Sequence, residues 1–144
     1  MSFVFRPITT VDFMSEVQRI DGILDFRATP LLSLRGMESV RQINSLALQE
    51  MRIASLAPLE ALMTASGLIS LRDLLELASL QGLQSLEEVA DLRIENVPSV
   101  SSLEELESLR RVGNISIRRT GITREEFDRF LGRVEVTGSI DFRE

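Results

Sequence analysis

One spacing dominates this chain. Short apolar-x-apolar pairs recur as Leu24-Asp25-Phe26, Leu46-Ala47-Leu48, Ile69-Ser70-Leu71, Leu92-Arg93-Ile94, Ile115-Ser116-Ile117 and Ile140-Asp141-Phe142, their first members 22, 23, 23, 23 and 25 residues apart. A seventh pair, Phe3-Val4-Phe5, lies 21 residues before the first. Between the pairs an apolar residue returns at every third position, as at Leu77, Leu80, Leu83 and Leu86. Three is neither the helical period nor the strand period. In short stretches it suits tight turns and 3₁₀ pieces, each offering one side chain inward. A unit made of one short strand and such a return cannot bury its leucines alone, but stacked on its neighbours it builds a continuous apolar column. The expected fold is therefore a repeat solenoid: a short right-handed β-helix of about seven coils with one parallel sheet.

The 144 residues are expected to form a single domain, with a first unit over 1–22, central repeats over 23–113, a last full unit over 114–138 and a final strand at 139–143. The outer units differ from the middle. Thr123-Arg-Glu-Glu126 has the form of a capping box and opens a segment with Phe127, Phe130 and Leu131 on one helical face. A parallel stretch runs from Thr10 to Val17. Helices are expected at about 10–18 and 123–131, with one- or two-turn helices between them, the longest starting at Ser101. Atypical end units protect a stack.

Composition narrows the chemistry. There is no cysteine, histidine, tryptophan or tyrosine. Disulfides, thiol nucleophiles and the commonest general base and metal ligand are thereby removed. No glycine-rich phosphate loop is present, and no cofactor or metal is expected. The net charge of −6 argues against general nucleic-acid binding. All sixteen basic residues are arginine, which arginine-favouring codon usage or selection against lysine would each produce. The first ten residues lack the charged and apolar regions of a signal peptide, and no run of eighteen apolar residues occurs. The chain reads as cytoplasmic, with no membrane span.

Segments such as LRGMESVRQI, LQGLQSLEEV and LEELESLRRV, each followed by a strand such as ADLRI or GNISI, resemble the receptor L domain, a relative of the leucine-rich repeats. The resemblance runs from about residue 18 to 144. It implies recognition of a protein or ligand and carries over no catalytic residue. The disulfide-bonded cysteines of extracellular members are missing, and the leucine-rich-repeat asparagine occurs once at best, as Asn96. An intracellular or bacterial relative is the better match.

Strand residues alternate in and out, so the outward columns can be written down. Between the inward pairs lie Val4, Asp25, Ala47, Ser70, Arg93, Ser116 and Asp141, and just after them Arg6, Arg27, Gln49, Arg72, Glu95, Arg118 and Arg143. Just before them lie Ser2, Ile23, Ser45, Leu68, Asp91, Asn114 and Ser139. These columns hold six arginines and four acids, a mildly basic face on an acidic chain. Stacked arginines repel, so either local pairing offsets them, with Glu95 between Arg72 and Arg118 and Gln49 interrupting the row, or the stripe awaits an acidic partner. The candidate partner-binding residues are Arg6, Arg27, Arg72, Arg93, Arg118 and Arg143, with Asp25, Ile23 and Leu68. The face acids look too scattered for cooperating carboxylates, since Asp25 and Asp141 lie roughly 24 Å apart. The expectation is a non-enzymatic protein-protein interaction module. The alternative is a self-assembling structural protein, joined head to tail or through an edge strand.

Overall fold

The computed structural model describes residues 11–144, Phe13 as backbone only, and 2–4 as backbone. Within them the chain winds a β-solenoid. Strands β1 (Ser2–Val4), β2 (Arg19–Arg27), β3 (Gln42–Gln49), β4 (Thr64–Arg72), β5 (Glu88–Val97) and β6 (Arg111–Thr120) follow one another in a single parallel sheet, in sequence order. The sheet closes with β7 (Glu135–Val136) and β8 (Ile140–Arg143), which pair with the two halves of β6 as one interrupted strand. Each inward residue stacks on its equivalent one coil away. Leu24, Leu46, Ile69, Leu92 and Ile115 form one register row, and Phe26, Leu48, Leu71, Ile94 and Ile117 the next. All ten are buried.

The period of three has a direct cause. In each return, consecutive inward residues are joined by i to i+3 backbone hydrogen bonds of 2.9–3.4 Å, through Leu34-Met37-Val40, Leu56-Leu59-Leu62, Leu80-Leu83-Leu86 and Leu103-Leu106-Leu109. Three residues per turn keep one side chain aimed at the core while the backbone groups satisfy one another. A serine opens each chain of turns. Ser33, Ser55, Ser79 and Ser102 accept from the backbone N–H two residues on, at 3.0–3.2 Å. The serine hydroxyl replaces a backbone partner where the strand's exit turns back towards the sheet.

Two devices fit the long strands to one another. β4 carries Ser66-Gly67 between Ala65 and Leu68, where β5 has only Ala90 between Val89 and Asp91. The extra residue is a bulge. Its surplus N–H, on Leu68, is taken up by the Ser45 hydroxyl of the preceding coil at 2.9 Å. A side chain at Gly67 would collide with that hydroxyl and with Asn44. Asn114 repeats the device at the last coil, accepting from the Ser139 N–H at 2.9 Å. Every long strand then meets a left-handed residue within one residue of its end: Ala28, Glu50, Asp73, Asn96 and Arg119 have φ of 48° to 54°. None is glycine. The stack overrides the local preference, because Ala28, Glu50 and Asp73 donate their N–H groups to the carbonyls of Gln49, Arg72 and Glu95 on the next coil. Asn96 belongs to this corner column, where its amide donates to Asp73 Oδ1 at 2.8 Å.

The ends depart from expectation in three ways. Instead of seven coils, the long strands β2–β6 make about five turns, and the last coil's strand is split into β7 and β8 by an extra residue around Gly138 that breaks its register with β6. The helix expected at about 10–18 is, within the described residues, a single 3₁₀ turn at Asp12–Met14, continuing the i to i+3 pattern through Val11, Met14 and Val17. The brief helix expected from Ser101 is likewise a chain of turns. One α-helix occurs among the described residues, α1 (Arg124–Leu131). Thr123 caps it, accepting from the Glu126 N–H at 3.2 Å. The other half of the capping box is diverted: the Glu126 carboxylate accepts from the Leu103 N–H at 3.0 Å, tying α1 to the coil before it. Phe127 and Phe130 are buried beneath α1, and Phe127 stacks on Phe142 of β8 at 4.5 Å.

Leu92→Ala, in the middle of the column, is expected to destabilise the chain by about 2–5 kcal/mol. Ala28→Gly and Arg119→Gly are expected to stabilise it by about 0.5–1 kcal/mol each, since glycine enters the left-handed region without a Cβ penalty. Urea denaturation followed by circular dichroism measures both.

Candidate functional site

The exposed side of the sheet is built by register alone. Asp25, Ala47, Ser70, Arg93, Ser116 and Asp141 stand opposite one another on successive strands, and so do Arg27, Gln49, Arg72, Glu95, Arg118 and Arg143. The expected columns therefore exist from β2 onward. Val4 shares their register through the backbone of β1, whereas Arg6 lies outside the described residues.

The structure adds a partner for each described arginine of the set. Arg27 donates from Nε to both carboxylate oxygens of Asp25 at 3.0 Å. Arg93 donates to Asp91 at 3.2 Å. Arg72 lies 3.9 Å from both Asp73 and Glu95. Arg118 holds Asp141 with Nε at 2.7 Å and with Nη2, and Arg143 approaches the same carboxylate at 3.6 Å. Arg118 thus turns to Asp141 rather than to Glu95, and Asp141 offsets the two arginines, Arg118 and Arg143, that stand side by side at the end of the row. The arginines keep roughly half of their side-chain surface open to solvent, so such pairs contribute only about 0–1 kcal/mol each.

Asp141 is held by two arginines. The hydrogen bond from Arg118 lowers its pKa below the ordinary carboxylate value, against a smaller opposing effect of desolvation and with help from the charges of Arg118 and Arg143. Beside it the small Ser116 leaves a shallow concavity of about 350 Å³, bounded by Asp91, Arg93 and Glu95 on β5 and by Arg118 and Asp141. Of the two apolar candidates, Ile23 is 43% exposed, whereas Leu68 is half-buried at the bulge.

The sequence reading chose the arginines with Asp25, Ile23 and Leu68, placed Glu95 between Arg72 and Arg118 as a local counter-charge, and did not include Asp91, Asp73, Ser116 or Asp141 in the site. A signal was available: Asp25-x-Arg27, Asp91-x-Arg93 and Asp141-x-Arg143 place an acid and an arginine two residues apart, on one strand face. Among the described residues no cluster of acids is arranged to hold a metal ion, and no helix is long and apolar enough to cross a membrane. Comparison of the chain with known protein families, with characterised proteins and with solved structures finds no match.

The Asp141 pair gives a pH signature. A carboxyl with a lowered folded pKa stabilises the fold above its unfolded value of about 3.9, and that contribution is lost as pH falls through the folded value. Asp141→Asn is therefore expected to be less stable than the parent chain at neutral pH, with the gap closing in acid below the ordinary carboxylate range. Denaturant titrations at a series of pH values measure the gap; one that persists in acid would show that Asp141 acts through shape and not charge.

Proposed function

We propose that the chain is a non-enzymatic interaction module that recognises a protein through the open face of its sheet. The observation that carries this reading is the register of β2–β6 and β8, which sets arginine and carboxylate groups in a rigid array while leaving them half exposed. Backbone ladders on both sides hold each inner strand, so the array is organised before any partner arrives, and the ordering cost of binding is small. Arginine's planar fork suits carboxylates of a partner. Because the face already carries its own acids, the best-matched surface alternates in sign, with an acidic excess opposite Arg27, Arg72, Arg93 and Arg118 and an apolar group near Ile23. The resemblance to receptor L domains and leucine-rich repeats supports recognition as the activity. The reading assigns no catalytic role, because the carboxylates nearest one another are each engaged by arginine.

The test immobilises the chain and compares it with an Arg27→Gln/Arg72→Gln/Arg93→Gln variant, with Arg35→Gln on a return as control. Glutamine keeps much of the stem that shields the core edge and avoids setting new acids against Glu95 and Asp91. Proteins retained by the parent and control but lost from the triple variant, and released as salt rises, are the expected result. Equal retention by all three overturns the face as the recognition surface.

A further inference from the structure

The last coil leaves one edge of the ladder unused. Ile140 occupies the same register row as Leu24, Leu46, Ile69, Leu92 and Ile115, which are fully or almost fully buried, yet it is 51% exposed. Val136 and Phe142, the other inward residues of this coil, are only partly buried. Helix α1 shields Phe142 through Phe127 but does not reach Ile140. The backbone is open too. Ile115 donates its N–H to the Ser139 carbonyl at 3.0 Å. In a parallel ladder this turns the backbone groups of Ser139, Asp141 and Arg143 towards β6 and those of Ile140 and Phe142 away from it. An apolar row and unpaired N–H and C=O groups on one strand form a template for another strand.

The charges select the occupant. On its outward side β8 reads Asp141 and then Arg143, a pattern complementary to itself when the strand is reversed. We propose that two copies of the chain pair their β8 strands antiparallel, across a two-fold axis through Phe142. This register sets Asp141 opposite the second copy's Arg143, and Arg143 opposite the second copy's Asp141. Both pairs fall at the positions without backbone hydrogen bonds, where facing side chains come closest. Phe142 and its equivalent then exchange backbone hydrogen bonds, and Ile140 lies diagonal to the second copy's Phe142, within reach of an aromatic ring. Arg143 is the mobile partner in this arrangement, since its side chain is mostly exposed and already near Asp141. The contact is isologous and closes at two copies. It shares Asp141 and Arg143 with the β8 end of the recognition face and leaves Arg27, Arg72 and Arg93 on the outer side of both copies.

The experiment is light scattering on a size-exclusion column with the purified chain, over roughly a hundredfold range of concentration. The expected mass is twice the 16.2 kDa of one chain, falling to one on dilution. Arg143→Glu and Asp141→Arg each place like charges opposite one another and should weaken pairing on the order of tenfold or more. An equal mixture of the two variants should recover the dimer, because every facing pair is then of opposite sign. Circular dichroism checks that each variant is folded; if Asp141→Arg is not, Arg143→Glu decides alone, since Arg143 is the more exposed member. A parent chain that stays monomeric overturns the proposal. So does mass growing beyond two copies, which would mean head-to-tail joining, and so does dimerisation unaffected by Arg143→Glu.

Discussion

Everything in this protein rests on one interaction, the contact of each coil's inward row with the row below it. A single coil has no inside. Its leucines become buried only because the next coil presents leucine, isoleucine or valine at the same height. Fully burying each such side chain contributes about 1.5–3 kcal/mol, and the gain is available only while the coils keep register. The parallel backbone ladder and the hydrophobic column therefore enforce each other. The left-handed residues at the strand ends and the bulges at Gly67 and Gly138 are local concessions to that common register. Five residues stay in a strained backbone region because the stacked core and the backbone bonds to the next coil fix where each strand ends.

The same constraint organises the outer face. Once the inward side chains are fixed, their outward neighbours have no freedom of height, so Arg93 must stand beside Ser70 and Ser116, and Arg118 beside Glu95 and Arg143. Like charges brought together in this way need a counter-ion. The acids that supply it lie in the same columns or one residue beyond, as with Asp141 for Arg118 and Asp73 for Arg72. A repeat fold converts a spacing in the sequence into an electrostatic pattern on a surface.

Legibility was uneven along the chain. The register rows were readable to the residue, because a coil length of about 23 and a strand period of two leave one alignment. The first unit was misread: Val11, Met14 and Val17 fit a helix face and a chain of three-residue turns equally well, and only the neighbouring coil favours the turns. Glu126 looked like half of a capping box, but the Leu103 N–H, brought close by stacking, offers its carboxylate a buried partner. At the candidate site the arginine column was visible, and so was Glu95 between Arg72 and Arg118, but not that Arg118 would take Asp141 instead. Side-chain direction at an exposed position depends on which neighbour is nearer, and Arg118 had both Glu95 and Asp141 within one strand spacing.

The amino-acid sequence by itself determined that the chain is a solenoid, how long each coil is, and which residues face inward and which outward. Those properties follow from periodicity, and periodicity is local information. The tertiary structure decided how many coils are complete, where the bulges and left-handed corners fall, which acid each arginine takes, and that Ile140 is left uncovered. These depend on what stands one coil away, about 23 residues along the chain.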